Sequence, residues 1–183
     1  SGQIDYSLTN KVPVELRQAI RDAKEKKKGA KRILVLMNPP YAEAANSQGN
    51  AGKVGVASTR VGASVSGMGK ATNELFVQFL MRIGRELPNA VVGMFSTLKY
   101  VNAPNFAKFR EAWTPKYLGG FVVHSKAFDG VKGDFPIGFL IWDLSINDPA
   151  QRLDVVALDK DGSPVGGKSF FREEAQAPLS EWV

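Results

Sequence analysis

The chain of 183 residues has no cysteine and a single histidine, His124. Without cysteine it has neither disulfides nor thiolate metal sites, and one histidine cannot build a histidine cluster, so no metal site is expected. Long hydrophobic runs are also missing. The longest apolar stretches, such as 33–37 and 137–142, fall far short of the roughly 20 residues a membrane helix needs, and the N-terminal residues lack a signal peptide's pattern. No membrane partner and a cytoplasmic location are therefore expected. There is no internal repeat or low-complexity tract. What is present, 44% hydrophobic and 23% charged residues, is ordinary globular composition for a domain with a real core.

The charge is unbalanced toward the positive. A net charge of +6 and a pI near 9.5 favour a polyanionic partner, because neutralising phosphates releases their counterions. The densest basic run, 24–32, follows a helix expected over about 13–28, with Leu16, Ile20 and Ala23 at helical spacing and Thr9 or Asn10 as cap. Cations at a helix C-terminus complement its dipole, which explains this run without nucleic acid.

Further along, helix and strand alternate. Residues 71–87 predict a helix with Leu75, Phe79, Ile83 and Leu87 on one face and Phe76 and Leu80 beside them. A buried strand is expected at 90–96, then a short helix at 105–113 with Phe106, Phe109 and Trp113 facing the core. The apolar segments 119–124 and 137–143 suit a long-looped hairpin, and 153–158 and 164–170 suit a smaller one around the Asp159-Lys160-Asp161-Gly162 turn, before a loose tail. The expected fold is α/β: a parallel portion from the Ile33 and Ala90 strands, with an antiparallel hairpin near its edge.

The most informative residues are Asn38-Pro39-Pro40-Tyr41, placed directly after the apolar run Ile33-Leu34-Val35-Leu36-Met37. An amino nitrogen attached to a π-system is a poor nucleophile because its lone pair is delocalised. The Asn38 side-chain oxygen and the Pro39 carbonyl can accept its two N–H hydrogens, two prolines keep the path rigid, and Tyr41 offers a flat face for a planar substrate. The plainer reading is a turn that ends a strand. Four specified residues arise by chance in a chain this long less than about once in a thousand, which favours the chemical reading. Just beyond lies 42–70, rich in Gly, Ser, Ala and Asn and carrying Lys53, Arg60 and Lys70, with no periodicity. A loop this long is usually functional or disordered, and these three cations are candidates for contact with nucleic acid.

Residues 31–144 resemble amino-group methyltransferases that use S-adenosylmethionine, and among them the DNA adenine-N6 methyltransferases of restriction-modification systems. Asn38-Pro39-Pro40-Tyr41 resembles their catalytic motif, and 119–128 with 135–143 resembles their later hairpin, whose loop aromatic packs against the flipped base. The resemblance implies a partial Rossmann-like methyltransferase sheet, with DNA as partner and S-adenosylmethionine as cofactor. It also implies that Tyr41 and Phe128, with Phe135 in reserve, hold an adenine rotated out of the duplex for direct methyl transfer. The sequence departs from the family in having no glycine-rich loop after a first strand to bind the methionine end of the cofactor. Asp5 and Tyr6 are candidates for the acidic-aromatic pair that contacts the cofactor's adenine, although an ordinary turn or capping Asp is the plainer reading of Asp5.

The resemblance thus predicts the C-terminal, catalytic half of a methyltransferase domain over 1–147, then a small hairpin and tail over 148–183. The N-terminal half of the same domain would be its missing partner. Other acceptors share this chemistry, namely a glutamine amide and an RNA base amine, and a non-catalytic nucleic-acid-binding remnant is a further alternative. His124 as a general base is the weakest candidate, since a strand-end histidine is usually structural.

Overall fold

The computed structural model describes residues 12–39, 65–131 and 133–171. Their elements are helix α1 (Val14–Lys24), strand β1 (Leu34–Met37), a 3-10 segment (Ser66–Asn73), α2 (Leu75–Glu86), β2 (Val91–Thr97), α3 (Lys99–Asn102), α4 (Ala107–Ala112), β3 (Pro115–His124), β4 (Pro136–Asn147), β5 (Arg152–Leu158) and β6 (Pro164–Phe171). The strands form one six-stranded sheet in the order β1-β2-β4-β3-β5-β6. The α/β class expected from the sequence is the one observed.

The sheet is mixed. β1 runs parallel to β2 and β3 parallel to β5, while the β2–β4, β3–β4 and β5–β6 pairs are antiparallel. The β3–β4 hairpin lies further in than the sequence suggests, with β4 between β2 and β3 and the β5–β6 hairpin extending the sheet beyond β3. β4 is suited to an interior place because both its faces are apolar. Leu140 and Trp142 point into the core, and Phe139 and Ile141 point the other way.

One sheet face is packed. Val92, Met94, Val122, Leu140, Trp142, Leu153 and Val155 meet Ile20 of α1, Phe76, Val77, Leu80 and Ile83 of α2, and the aromatic group Tyr100, Phe106, Phe109 and Trp113. Phe76 stacks on Phe106 at 5.9 Å, and Phe109 on Trp113 at 5.7 Å. Each large side chain buried here contributes about 1.5–3 kcal/mol.

Two helices differ from expectation. α1 ends at Lys24, four residues early. Lys26 adopts a left-handed φ of 53°, its N–H bonds to the Ala23 carbonyl (3.1 Å), and the Lys27 N–H bonds to the Asp22 carbonyl (2.9 Å). This is the Schellman closure that stops a helix. The cap candidates Thr9 and Asn10 lie outside the described residues. α2 begins at Leu75 rather than 71, because 66–73 form a 3-10 segment interrupted at Gly69. Its buried face is also turned: Phe76, Val77, Leu80 and Ile83 are inside and Phe79 is 43% exposed.

The amino end of the parallel strands is held by Asp143 of β4. Its Oδ1 lies 2.6 Å from an Arg32 guanidinium nitrogen and accepts from the Ser145 N–H (3.0 Å) and hydroxyl (2.6 Å). Burial pushes the Asp143 carboxyl up, but the Ser145 and Arg32 partners outweigh that and hold its pKa below the usual carboxylate range. Within the basic run 24–32, Lys24 also pairs with Glu86, and Lys27 with Asp22 and Glu25. The run stands by the amino end of β1, at the opposite end of that strand from Asn38. Among the described residues no helix is long and apolar enough to cross a membrane.

Candidate functional site

β1 delivers Asn38 and Pro39 to its carboxyl end. Leu34 and Leu36 are exposed, at 63% and 66%, whereas Val35 and Met37 are half-buried. Asn38 continues the exposed series and Pro39 is buried. Met37 pairs with Met94 of β2, so Asn38, one residue on, is level with Phe95.

Phe95 is the hub of an aromatic group on the sheet face opposite the helices. Its ring lies 4.7 Å from Phe139 and 6.0 Å from Phe121, and Phe121 stacks on Phe139 at 5.4 Å. Gly93 makes room for this group: a Cβ there would fall 2.6 Å from Phe139 Cζ. The fourth ring is Phe128, edge-on to Phe95 at 5.7 Å and 81°. Phe128 belongs to the β3–β4 loop. Because Thr97 pairs with Ile137 and His124 with Pro136, that loop stands at the carboxyl ends of β2 and β3. Asn38 and Phe128 thus reach the same end of the sheet, with Phe95 as their shared neighbour in register and in ring contact.

The loop is tied internally. Ser125, fully buried, donates its hydroxyl to the Gly133 carbonyl (2.7 Å) and accepts at Oγ from the Phe135 N–H (3.3 Å). Its own N–H bonds to the Phe135 carbonyl (3.0 Å), and its carbonyl accepts from the Phe128 N–H (3.1 Å). Phe135 is half-buried in the same loop. Lys126 reaches Asp134 at 2.7 Å, and this ammonium, directly hydrogen-bonded, holds the Asp134 carboxyl below the ordinary range. His124 Nδ1 accepts from the Lys126 N–H (3.1 Å), so that lone pair caps the turn, and Nε2 sits 3.8 Å from Asp134. This histidine is part of the loop's structure, in keeping with the plainer reading of it.

A second tie spans the same end of the sheet. α2 returns the chain to the start of β2, so its first turn stands by the strands' carboxyl ends. There Glu74, buried, pairs with Lys99 at 2.8 Å, and Lys99 follows β2 directly. Lys70 is exposed on the 3-10 segment just before. The other candidates, Pro40, Tyr41, Lys53, Arg60, Asp5 and Tyr6, lie outside the described residues. Among the described residues no group of three or more His, Cys, Asp or Glu is placed to hold a metal.

The sequence alone did not single out Phe95, Gly93 or Ser125. β2 reads as a uniform apolar run, so nothing in it says which side of the sheet Phe95 takes, and a lone serine in a loop carries no pattern.

The fold defines a class: a mixed α/β sheet in which a parallel pair is followed by an inserted antiparallel hairpin, with the candidate site at the strands' carboxyl ends. No protein-family profile and no curated protein matches this chain. Solved structures do resemble it. One is an ATP-dependent Type ISP restriction-modification enzyme, LlaBIII, bound to DNA, with TM-score 0.53 and 11% identity over 96% of this chain and 14% of the enzyme. Another is a DrdV–DNA complex, with TM-score 0.50 and 14% identity over 84% of this chain and 17% of that one. A modification subunit of a putative type I restriction enzyme from Vibrio vulnificus YJ016 matches with TM-score 0.47 and 15% identity over 79% of this chain and 31% of that one. The chain thus shares its fold with a segment of a Type ISP restriction-modification enzyme and a segment of the DrdV structure, and spans under a fifth of the length of either.

Proposed function

We propose that this chain is the catalytic half of a DNA adenine-N6 methyltransferase of the restriction-modification type. Residues 1–147 form that half, and 148–183 begin a following region whose hairpin adds to the same sheet. The observation that carries the reading is the meeting of Asn38-Pro39 and the Phe128 loop at one end of the sheet, on either side of Phe95. An acceptor pair for an amine and a flat face for its ring are what methylation of a base amine requires. The fold likeness to a Type ISP restriction-modification enzyme bound to DNA and to DrdV in a DNA complex, and the net charge of +6, support DNA as the partner.

The reaction divides between groups. The Asn38 side-chain oxygen and the Pro39 carbonyl accept the two N–H hydrogens of the adenine amino group, which localises its lone pair on nitrogen. Tyr41 and Phe128 hold the extruded base. Lys53, Arg60 and Lys70 neutralise phosphates of the DNA. S-adenosylmethionine, when bound, supplies an electrophilic methyl group. The described residues fit the acceptor side of this chemistry. The glycine-rich cradle for the methionine end of the cofactor is not in this sequence, and belongs to the N-terminal half of the domain, with Asp5 and Tyr6 as this chain's contribution.

The test is nucleoside mass spectrometry of DNA from cells expressing the full-length protein that carries these residues, with and without Asn38→Ala. N6-methyladenine is expected with Asn38, and a drop of about a hundredfold or more without it. No N6-methyladenine from a soluble, folded protein would sink the DNA reading and turn attention to a glutamine amide, an RNA amine or a non-catalytic binding role.

A further inference from the structure

Ser125 spends every polar group it has on one loop. Its N–H and carbonyl bond to Phe135 and Phe128 (3.0 and 3.1 Å), and its hydroxyl donates to Gly133 (2.7 Å) while accepting from the Phe135 N–H (3.3 Å). The two backbone bonds are available to any residue. The hydroxyl bonds are specific to serine or threonine, and they join the loop's departing strand to its returning one behind Phe128. The side chain is fully buried. Water therefore does not reach the hydroxyl itself, and a hydroxyl removed here leaves the Gly133 carbonyl and Phe135 N–H without this partner.

Among the described residues the loop's other side-chain ties lie at its surface, Lys126 to Asp134 at 2.7 Å and the Lys126 N–H to His124 Nδ1 at 3.1 Å. Lys126, Ala127, Asp129 and Gly130 are exposed, and Gly130 and Gly133 sit at φ of 77° and 101°, so the backbone turns sharply at both. Phe128 itself meets Phe95 in an edge-on ring contact at 5.7 Å. A single aromatic pair of this kind contributes only about 0.5–1.5 kcal/mol beyond its buried area.

We infer that Ser125 is a positioning residue: its buried hydroxyl clamps the β3–β4 loop so that Phe128 stands ready against Phe95 at the carboxyl end of β2. The inference rests on the reading of Phe128 as the base-holding aromatic. Since misplacement of a positioning group by an ångström can cost about a hundredfold in rate, loss of the clamp is expected to show in turnover while the sheet stays intact.

The test combines two measurements on Ser125→Ala, which leaves the volume almost unchanged, and on Ser125→Thr, which restores a hydroxyl. Hydrogen-exchange mass spectrometry should show faster exchange of 126–135 in the alanine variant, with β2 and α2 unaltered, and recovery in the threonine variant. N6-methyladenine formation by the full-length protein should fall on the order of tenfold to a hundredfold with Ser125→Ala and by the same factor with Phe128→Ala. The double variant should be no worse than either single one. Losses that multiply, or loop exchange that does not change, would overturn the clamp. Full activity in Phe128→Ala alone would instead overturn the base-holding role of Phe128. If the wild-type protein formed no N6-methyladenine, the proposed function would fall, and the exchange data would still decide whether Ser125 orders the loop.

Discussion

Asp143→Asn removes one charge and almost no volume from a buried site on which two elements depend. In the native protein three donors converge on Asp143 Oδ1: the Arg32 guanidinium at 2.6 Å, the Ser145 hydroxyl at 2.6 Å and the Ser145 N–H at 3.0 Å. An asparagine oxygen can take the same place, so the geometry survives and the charge is lost. Hydrogen bonds to a charged partner contribute about 1.5–3 kcal/mol, against roughly 1 kcal/mol for neutral ones. The three bonds share one acceptor and Arg32 is 53% exposed, so their gains do not simply add and the net cost is set at about 1–2 kcal/mol. For a chain of this size that lowers the melting temperature by about 3–6 °C.

The pH dependence has a defined sign. The Asp143 carboxyl is held below its ordinary value in the folded protein. Its contribution to stability is therefore present above the unfolded pKa of about 3.9, and is lost as pH falls through the lower folded value. Urea unfolding of wild type and Asp143→Asn, followed by tryptophan fluorescence, should show the full gap at pH 7 and a gap that closes as the pH falls below the unfolded pKa. Arg32→Met should destabilise the wild type but add little to Asp143→Asn. Equal stability of the two proteins at pH 7, or a gap undiminished in acid, would refute the account of this charge.

Gly120→Ala should be among the most damaging single-carbon additions. The new Cβ would collide with the Phe139 carbonyl oxygen and sit 3.0 Å from the Leu140 Cα, both in the paired strand, at a cost of about 3 kcal/mol or more, read as a lowered urea midpoint. Phe76→Ala should cost about 3–5 kcal/mol by the same measurement and Phe79→Ala under about 1 kcal/mol, since Phe76 is 1% and Phe79 43% exposed. Similar costs would show that the buried face of α2 is wrongly placed. The 183-residue chain expressed alone should bind S-adenosylmethionine weakly or not at all, because no glycine-rich strand-loop-helix stands ahead of the Asn38 strand in its sequence. Tight binding by calorimetry would overturn the proposal that the cofactor cradle lies in another part of the domain.

Much of the fold was legible in the sequence because local signals and burial agreed. The apolar runs of β1 and β2, the paired segments of β3 and β4, and the core positions Phe106, Phe109 and Trp113 all stand where their patterns place them. Asn38-Pro39 at the end of an apolar run was legible too, since a proline pair after a strand is a local signal that tertiary structure rarely moves. Helix limits and faces were less so. α1 stops where Lys26 takes a left-handed conformation, and α2 turns Phe79 outward, because Phe76, Leu80 and Ile83 form an equally good helical stripe and only the sheet beneath selects between them.

Tertiary structure alone decided how the site is assembled. β4 lies between β2 and β3, an order that no periodicity encodes, since a strand apolar on both faces can be paired on either side. That order brings the β3–β4 loop to the carboxyl end of β2 and sets Phe128 against Phe95, 33 positions earlier in the chain. The residue types at the site are a property of the sequence. Their meeting is a property of strand order, which depends on long-range packing and loop closure across the whole sheet.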